Sequence, residues 1–228
     1  MSLERLPSRL AGVRYGAVTR FSDERGTFRE VWRASRQRPS SEDHAGSPEA
    51  PFVQANLSTS AAGVLRGLHC HRRQIDYWVV AAGRAFVAVV DVRPVVAGET
   101  TANPAEVGGR AGPSPESSVV SNAQLPRNRS GRAIVETREL VADDWVMIPP
   151  GVAHGFLALE PLELLYLVTN EYDGSDELGF AWDDPAVSVP WPVLQVTPDG
   201  RPILSKRDQT NPSLAELVRR LLAADAIG

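Results

Sequence analysis

Eighteen prolines and eighteen glycines punctuate 228 residues and cut the chain into short segments. Proline removes a backbone donor and fixes φ, while glycine loses the most freedom inside a regular element. A chain broken this often favours strands and turns over long helices. "VRYGAVTRFSD" and "GTFREVWRA" read as strands joined by a turn at "DERG". "FVQANLSTS" and "GVLRGLHCH" are further strand candidates, and "IDYWVVAAGRAFVAVVDVRP" holds two β-rich runs about Gly83, the pattern of a hairpin. Order resumes later with "IVETRELVADDWVMIPPGVAHGFLALE" and "LELLYLVTNEY". Only "SLAELVRRLLAADA" has helical apolar spacing, with a serine start and Pro212 just before it. The expected fold class is all-β, a sandwich or small barrel with a C-terminal helix.

Two polar stretches interrupt this pattern. Residues 36–50 are rich in proline and serine and read as a loop. Residues 94–133 are dominated by small, polar and breaker residues, and a flexible insertion is expected there within a single domain spanning 1–228.

Charge and composition narrow the function classes. The formal net charge is -4, from 24 basic and 28 acidic residues, so no basic face for nucleic acid is implied. No apolar run approaches the roughly 20 residues of a membrane span, and "MSLERLPSRLAG" lacks the apolar core of a signal peptide. The one cysteine, Cys70, has no partner in the chain for a disulfide and suits a reducing compartment. A soluble cytoplasmic protein is expected.

Chemistry concentrates in "GVLRGLHCHRRQID", which holds His69 and His71, two of four histidines. On a strand, alternate residues share a face, so the two rings would point one way and Cys70 the other, into packing. From these residues alone, a metal site, a catalytic base beside a bystander, and structural histidines all remain open. Asp76 also has a plainer reading as an ion-pair partner of Arg72 or Arg73.

Gly63, His69, His71, Asp76 and Gly83, followed by Pro149, Gly151 and His154 in "PPGVAHG", resemble the two motifs of the cupin superfamily, a small jelly-roll barrel. Asp76 stands where the first motif normally carries Glu. In metal-binding cupins the positions of His69, His71, Asp76 and His154 would supply ligands, and such a set suits iron, manganese, nickel or zinc.

A more detailed resemblance runs along nearly the whole chain. "RFSDERGTFREVW", "FVQANLSTSAAGVLRGLH", "IPPGVAHGF", "LLYLVTNEYDGSDELGFAWDDP", "VSVPWP" and "ILSKRD" look like, in the same order, the signature segments of dTDP-4-dehydrorhamnose 3,5-epimerases. That family is cupin-folded, dimeric and active without a metal. The resemblance implies a homodimer, a nucleotide-sugar substrate, no cofactor, and inversion of C3, C5 or both in a 4-keto-6-deoxyhexose. His69 would be the base, Asp208 its partner, and Tyr166 the acid on the opposite face. His154 and Arg66 would stand near the enolate oxygen. Arg25, Glu30, Gln54 and Asn56 would line the pocket, with Phe21, Tyr172 and Trp182 packing on base or sugar.

One departure bears on mechanism. The family normally has lysine where Asp76 stands, and glutamine is common where His71 stands. An acid there reverses the charge where an enolate needs a cation, which puts double epimerisation in doubt. It also restores a ligand-like set, so a divalent metal on His71, Asp76 and His154 is admitted. With His69 as a fourth ligand the metal would exclude that residue as base, since both uses need one lone pair. The alternatives are therefore a metal-dependent cupin oxygenase or isomerase, and a cupin that binds sugar nucleotides without chemistry.

Overall fold

The apolar runs between breakers become twelve strands among the described residues, which in this computed structural model are 7–34, 51–101 and 132–225. In chain order these are β1 (Arg14–Ala17), β2 (Arg20–Asp23), β3 (Gly26–Arg29), β4 (Gln54–Ser60), β5 (Leu65–Cys70), β6 (Asp76–Ala82), β7 (Arg84–Asp91), β8 (Ile134–Val141), β9 (Asp144–Ile148), β10 (Val152–Ala158), β11 (Leu162–Val168) and β12 (Leu178–Gly179). One five-stranded antiparallel sheet has the order β1-β9-β6-β11-β4, and a second has the order β12-β5-β10-β7-β8. Among the described residues, strands β2 and β3 pair only with each other, as the "DERG" turn predicts.

The sheets enclose a core of Trp78, Val80, Val87, Val89, Val146, Ile148, Phe156, Leu162 and Leu164. This is the jelly roll of the cupin type. Strand β6 is buried on both faces, because Tyr77 and Val79 point outward under Trp32, Phe52 and Met147. That double burial explains its continuous apolar sequence.

The hairpin expected about Gly83 does not form. Strands β6 and β7 lie in different sheets, so Gly83 is a corner where the chain passes from one layer to the other. Both runs are apolar on both faces, and each is better buried between two strands of its own sheet than paired with the other. Gly83 has φ of +84°, and a Cβ there would stand 2.1 Å from the Pro161 carbonyl oxygen. Only glycine meets both demands.

The C-terminal helix α2 (Leu214–Asp225) forms as its spacing predicts. The Ser213 hydroxyl accepts from the Glu216 N–H, and Asp184 accepts from the Leu214 N–H, so two orphan donors are capped. Leu214, Leu217, Val218 and Leu221 pack on Phe180, Ala88, Val90 and Cys70 behind the second sheet. Cys70 therefore faces away from His69, and burial pushes its thiol up to about 12.

The stretch expected to be a flexible insertion begins instead with a second helix, α1 (Arg93–Thr101). Pro94 fits because first-turn N–H groups have no helical partner in any case. Val95 and Val96 join the cluster under α2, so packing stabilises a segment that its composition does not mark as helical. Residues 102–131, and the loop expected over 36–50, lie outside the described residues.

Gly83→Ala is expected to destabilise the protein by about 2–4 kcal/mol, combining a strained φ with a backbone clash. Urea unfolding measures this, and an unchanged midpoint would refute the corner's dependence on glycine.

Candidate active site

One open end of the jelly roll holds a cavity of about 500 Å³. Alternation on three adjacent strands supplies its first wall. Asn56, Tyr166 and Trp78 stand in one cross-strand row, and Gln54, Val168 and Asp76 in the next. Strands β5 and β10 supply the facing wall with Arg66, His69, His154 and Phe156.

Simple alternation would put Arg66 and His69 on opposite faces of β5. The pairing shifts between His154↔His69 and Phe156↔Arg66, so three residues of β5 oppose two of β10. This bulge turns both side chains into the cavity. Gly67 sits at it with φ of +128°, and its missing Cβ would lie 2.6 Å from the Gly155 Cα.

His69 is held from outside the strand. Its Nε2 lies 2.7 Å from Asp208 Oδ1, and Asp208 is itself buried. The Ser205 hydroxyl donates to Asp208 Oδ2 at 2.9 Å, while the Asp208 N–H donates back to the Ser205 oxygen. A carboxylate on Nε2 fixes the proton there and leaves Nδ1 as the basic nitrogen. Burial acts to raise the Asp208 pKa, but the hydrogen bond and charge of His69, the Ser205 hydrogen bond and Arg207 together hold it below 3.8.

His71 and His154 share a different arrangement. His71 Nδ1 donates to the Asp176 carbonyl at 2.7 Å, and His154 Nδ1 to the Val152 carbonyl at 3.1 Å. A carbonyl only accepts, so each Nδ1 carries hydrogen. Asp76 Oδ2 stands 3.7 Å from His71 Nε2 and accepts from the Gln74 amide at 3.1 Å. His71, Asp76 and His154 are all buried, and one ligand atom from each lies within 4.8 Å of the others. The rings of His71 and His154 are 5.4 Å apart, and the Trp78 and His154 rings meet at a right angle at 5.1 Å. Burial lowers the His154 pKa to about 4 despite the Asp76 charge, so this ring is neutral near pH 7.

Tyr166 faces His69 from the other sheet. Burial raises the pKa of its phenol, with Arg66 pulling the other way. Arg66 is itself oriented by Ser60 Oγ and the Thr59 carbonyl, at 3.2 and 3.1 Å. Gln54 donates to Asn56 at 2.9 Å and accepts from the Tyr172 N–H at 2.9 Å, which ties the Tyr172 loop to the cavity.

Among the sequence candidates, His69, Asp208, Tyr166, Arg66, Gln54, Asn56, His71, Asp76, His154 and Tyr172 converge on this cavity or its immediate support. Phe21, Arg25 and Glu30 do not line it. Phe21 and Arg25 belong to the separate β2–β3 hairpin, and Glu30 is paired with Arg33. Trp182 also stands elsewhere, packing near Leu65 and Leu157 while its carbonyl accepts from the Trp191 indole. Ser58, Trp78, Glu177 and Arg207 line the cavity without having been singled out in the sequence. Alternation from Asn56 and Asp76 could have found the first two. Glu177 and Arg207, ion-paired with each other, come from loops with no such periodic signal.

The model of the family described as dTDP-4-dehydrorhamnose 3,5-epimerase matches residues 7–101 and 135–216. A dTDP-4-dehydrorhamnose 3,5-epimerase of Pseudomonas aeruginosa is 31% identical over 199 residues, 86% of this chain and 87% of that protein. The rmlC epimerase of Mycobacterium tuberculosis superposes with a TM-score of 0.66 at 26% identity, covering 97% of this chain and 90% of that one. The ChmJ 3'-monoepimerase of Streptomyces bikiniensis, in complex with dTDP-quinovose, gives a TM-score of 0.66 at 26% identity, covering 95% and 90%.

Asp208→Asn is expected to cost about 1–2 kcal/mol at neutral pH by weakening a charge-assisted hydrogen bond to His69. A carboxylate with a lowered folded pKa stabilises fully above its unfolded value and loses that contribution as pH falls through the folded one. The gap between wild type and variant should therefore close in urea titrations run from about pH 5 down to about pH 2. A gap that stays constant would show that the Asp208 charge contributes nothing.

Proposed function

The chain belongs to the dTDP-4-dehydrorhamnose 3,5-epimerase family, and on that premise we propose that it inverts one or both carbons flanking the ketone of a dTDP-linked 4-keto-6-deoxyhexose. Membership makes it an isomerase. The observation that supports the reading is an imidazole and a phenol on opposite walls of one cavity: His69 held by Asp208 on one sheet, Tyr166 on the other.

The chemistry follows from that opposition. His69 Nδ1 takes the proton from the carbon beside the ketone, and the C–H electron pair moves into the carbonyl to give an enolate. Asp208 stabilises the imidazolium that forms. Tyr166 then donates its phenolic proton to the opposite face of the carbon, and the ketone is restored with that centre inverted. Arg66 at the cavity rim suits the sugar or its diphosphate. Gln54 and Asn56 orient hydroxyl groups along the first wall. No cofactor is needed for the proton balance of this step.

A homodimer is part of the same proposal. Phe21 and Phe28 stack with ring centroids 6.3 Å apart on the self-paired hairpin, and they are 57% and 67% exposed. A second copy covering that hairpin would bury both rings and give Phe21 and Arg25 a cavity to reach. Light scattering should report twice the mass of one chain, and a monomer at working concentration would overturn this part. A cytoplasmic site of action is supported by the free, buried Cys70.

The test is solvent exchange. Incubation with dTDP-4-keto-6-deoxyglucose in deuterated water should place deuterium at C3, C5 or both, read by NMR or mass spectrometry. His69→Asn should slow exchange by about 10²–10⁴-fold, whereas Tyr166→Phe should lose inversion more than exchange. Absence of deuterium at both carbons would sink the reading for this substrate, and unchanged rates in His69→Asn would remove the base.

A further inference from the structure

Charge is unevenly placed along the cavity. Arg66 is held by Ser60 and the Thr59 carbonyl at one end of β4, whereas Asp76 lies in the row of Gln54, at the other end. Arg207 is already paired with Glu177. Asp76 is 4% exposed, and its Oδ2 accepts from the Gln74 amide at 3.1 Å. His71 Nε2 stands 3.7 Å away, beyond hydrogen-bond range. Among the described residues no hydrogen bond reaches Asp76 Oδ1. His154 beside it is neutral near pH 7 with Nδ1 donating to the Val152 carbonyl, so its Nε2 carries a lone pair. A buried carboxylate answered by one amide is costly unless a bound group supplies the missing donors.

We propose that Asp76 and His154 select a substrate with an amino group on the ring carbon beside the ketone, so that the chain acts on a dTDP-linked amino sugar. The inference rests on the epimerase reading and names the substrate class within it. An ammonium brings three donors and a positive charge, whereas a hydroxyl brings one donor and an oxygen that meets acceptors. A carboxylate oxygen of Asp76 and a ring nitrogen of His154 lie within 4.8 Å of each other, so one ammonium about 2.8 Å from each fits between them. In a 6-deoxyhexose one of the two carbons beside the ketone carries the methyl group, which puts the amine on the other, C3.

The position suits the chemistry. Asp76 stands one row from Tyr166 along β11, a diagonal spacing of about 7–8 Å. Its charge acts on both Tyr166 and His154. With the reacting carbon between His69 and Tyr166, the ring reaches Asp76 through a substituent, and the diphosphate points to Arg66. When His69 takes the proton, the C–H electron pair moves into the carbonyl and the neighbouring ammonium faces the oxyanion. The amine keeps all its protons through the step. The substrate thus supplies the positive charge beside the enolate that Asp76 does not.

Binding is measured apart from chemistry, with 4-hydroxy analogues that have no ketone to enolise. Calorimetry compares dTDP-3-amino-3,6-dideoxyglucose with dTDP-6-deoxyglucose, which differ only in amine against hydroxyl. The amine should bind about 10–100-fold tighter. Asp76→Asn should remove that preference, with circular dichroism establishing that the variant is folded. Acetylation of the amine should remove it in the wild-type protein, a control that needs no variant. Equal or tighter binding of the hydroxyl analogue would overturn the proposal, leaving a protonated His71 paired with Asp76. A preference that survives in folded Asp76→Asn, or after acetylation, would overturn it equally. Deuterium exchange separates the two claims. Exchange into dTDP-4-keto-6-deoxyglucose without any amine preference keeps the epimerase and removes the amino sugar. An amine preference with no exchange into this ketone or its 3-amino counterpart removes the epimerase and leaves the ammonium site standing.

Discussion

Burial of two sheets against each other is the constraint from which the rest follows. Trp78, Val80, Val87, Val89 and Phe156 fill the space between the layers, and their burial is worth roughly 1.5–3 kcal/mol for each large side chain. That packing needs the chain to change layers sharply, as it does at Gly83, and it needs the backbones of β5 and β10 to meet, as they do at Gly67 and Gly155. The apolar filling stops short of one end. Beyond Trp78 and Phe156 the same inward-facing rows continue as Asp76, Tyr166, Asn56 and His154, so the cavity is the polar continuation of the core.

This origin gives the cavity its chemistry. Two facing sheets place groups on two sides of anything bound between them, which proton removal from one face and return to the other require. Two of the supports lie beyond the strands, Asp208 with Ser205 behind His69 and the Asp176 carbonyl behind His71, while His154 is held by the Val152 carbonyl of its own strand. An imidazole held by a buried carboxylate and a pair of rings held by backbone carbonyls sit side by side on one wall. Orientation by hydrogen bonds, rather than a difference in residue type, separates His69 from His71 and His154.

Much of the site was legible because local rules reach far in a β protein. Alternation placed Cys70 away from the two histidines, and the ordered segments from "RFSDERGTFREVW" to "ILSKRD" brought His69, Tyr166 and Asp208 into one reading. The failures have physical reasons. The Gly83 hairpin was wrong because pairing partners are chosen by burial on both faces, which a pattern of two adjacent runs does not encode. Helix α1 was hidden by Pro94 and Gly98, since its stability comes from packing beside α2 rather than from propensity. Phe21, Arg25 and Glu30 were assigned to the pocket by resemblance, yet in the single chain they stand apart from it.

The sequence by itself determined the all-β class and the C-terminal helix, while the grouping of His69, His71, Asp76 and His154 came from the resemblance to metal-binding cupins. Periodicity and breaker residues are local, and local steric rules act before the chain is folded. Tertiary structure alone decided that a bulge turns Arg66 and His69 to the same side. It also decided that backbone carbonyls hold His71 and His154, whereas the family resemblance had already paired His69 with Asp208, 139 residues away. Those outcomes depend on which strands pack and on which carbonyls they leave nearby, and no spacing along the chain records them.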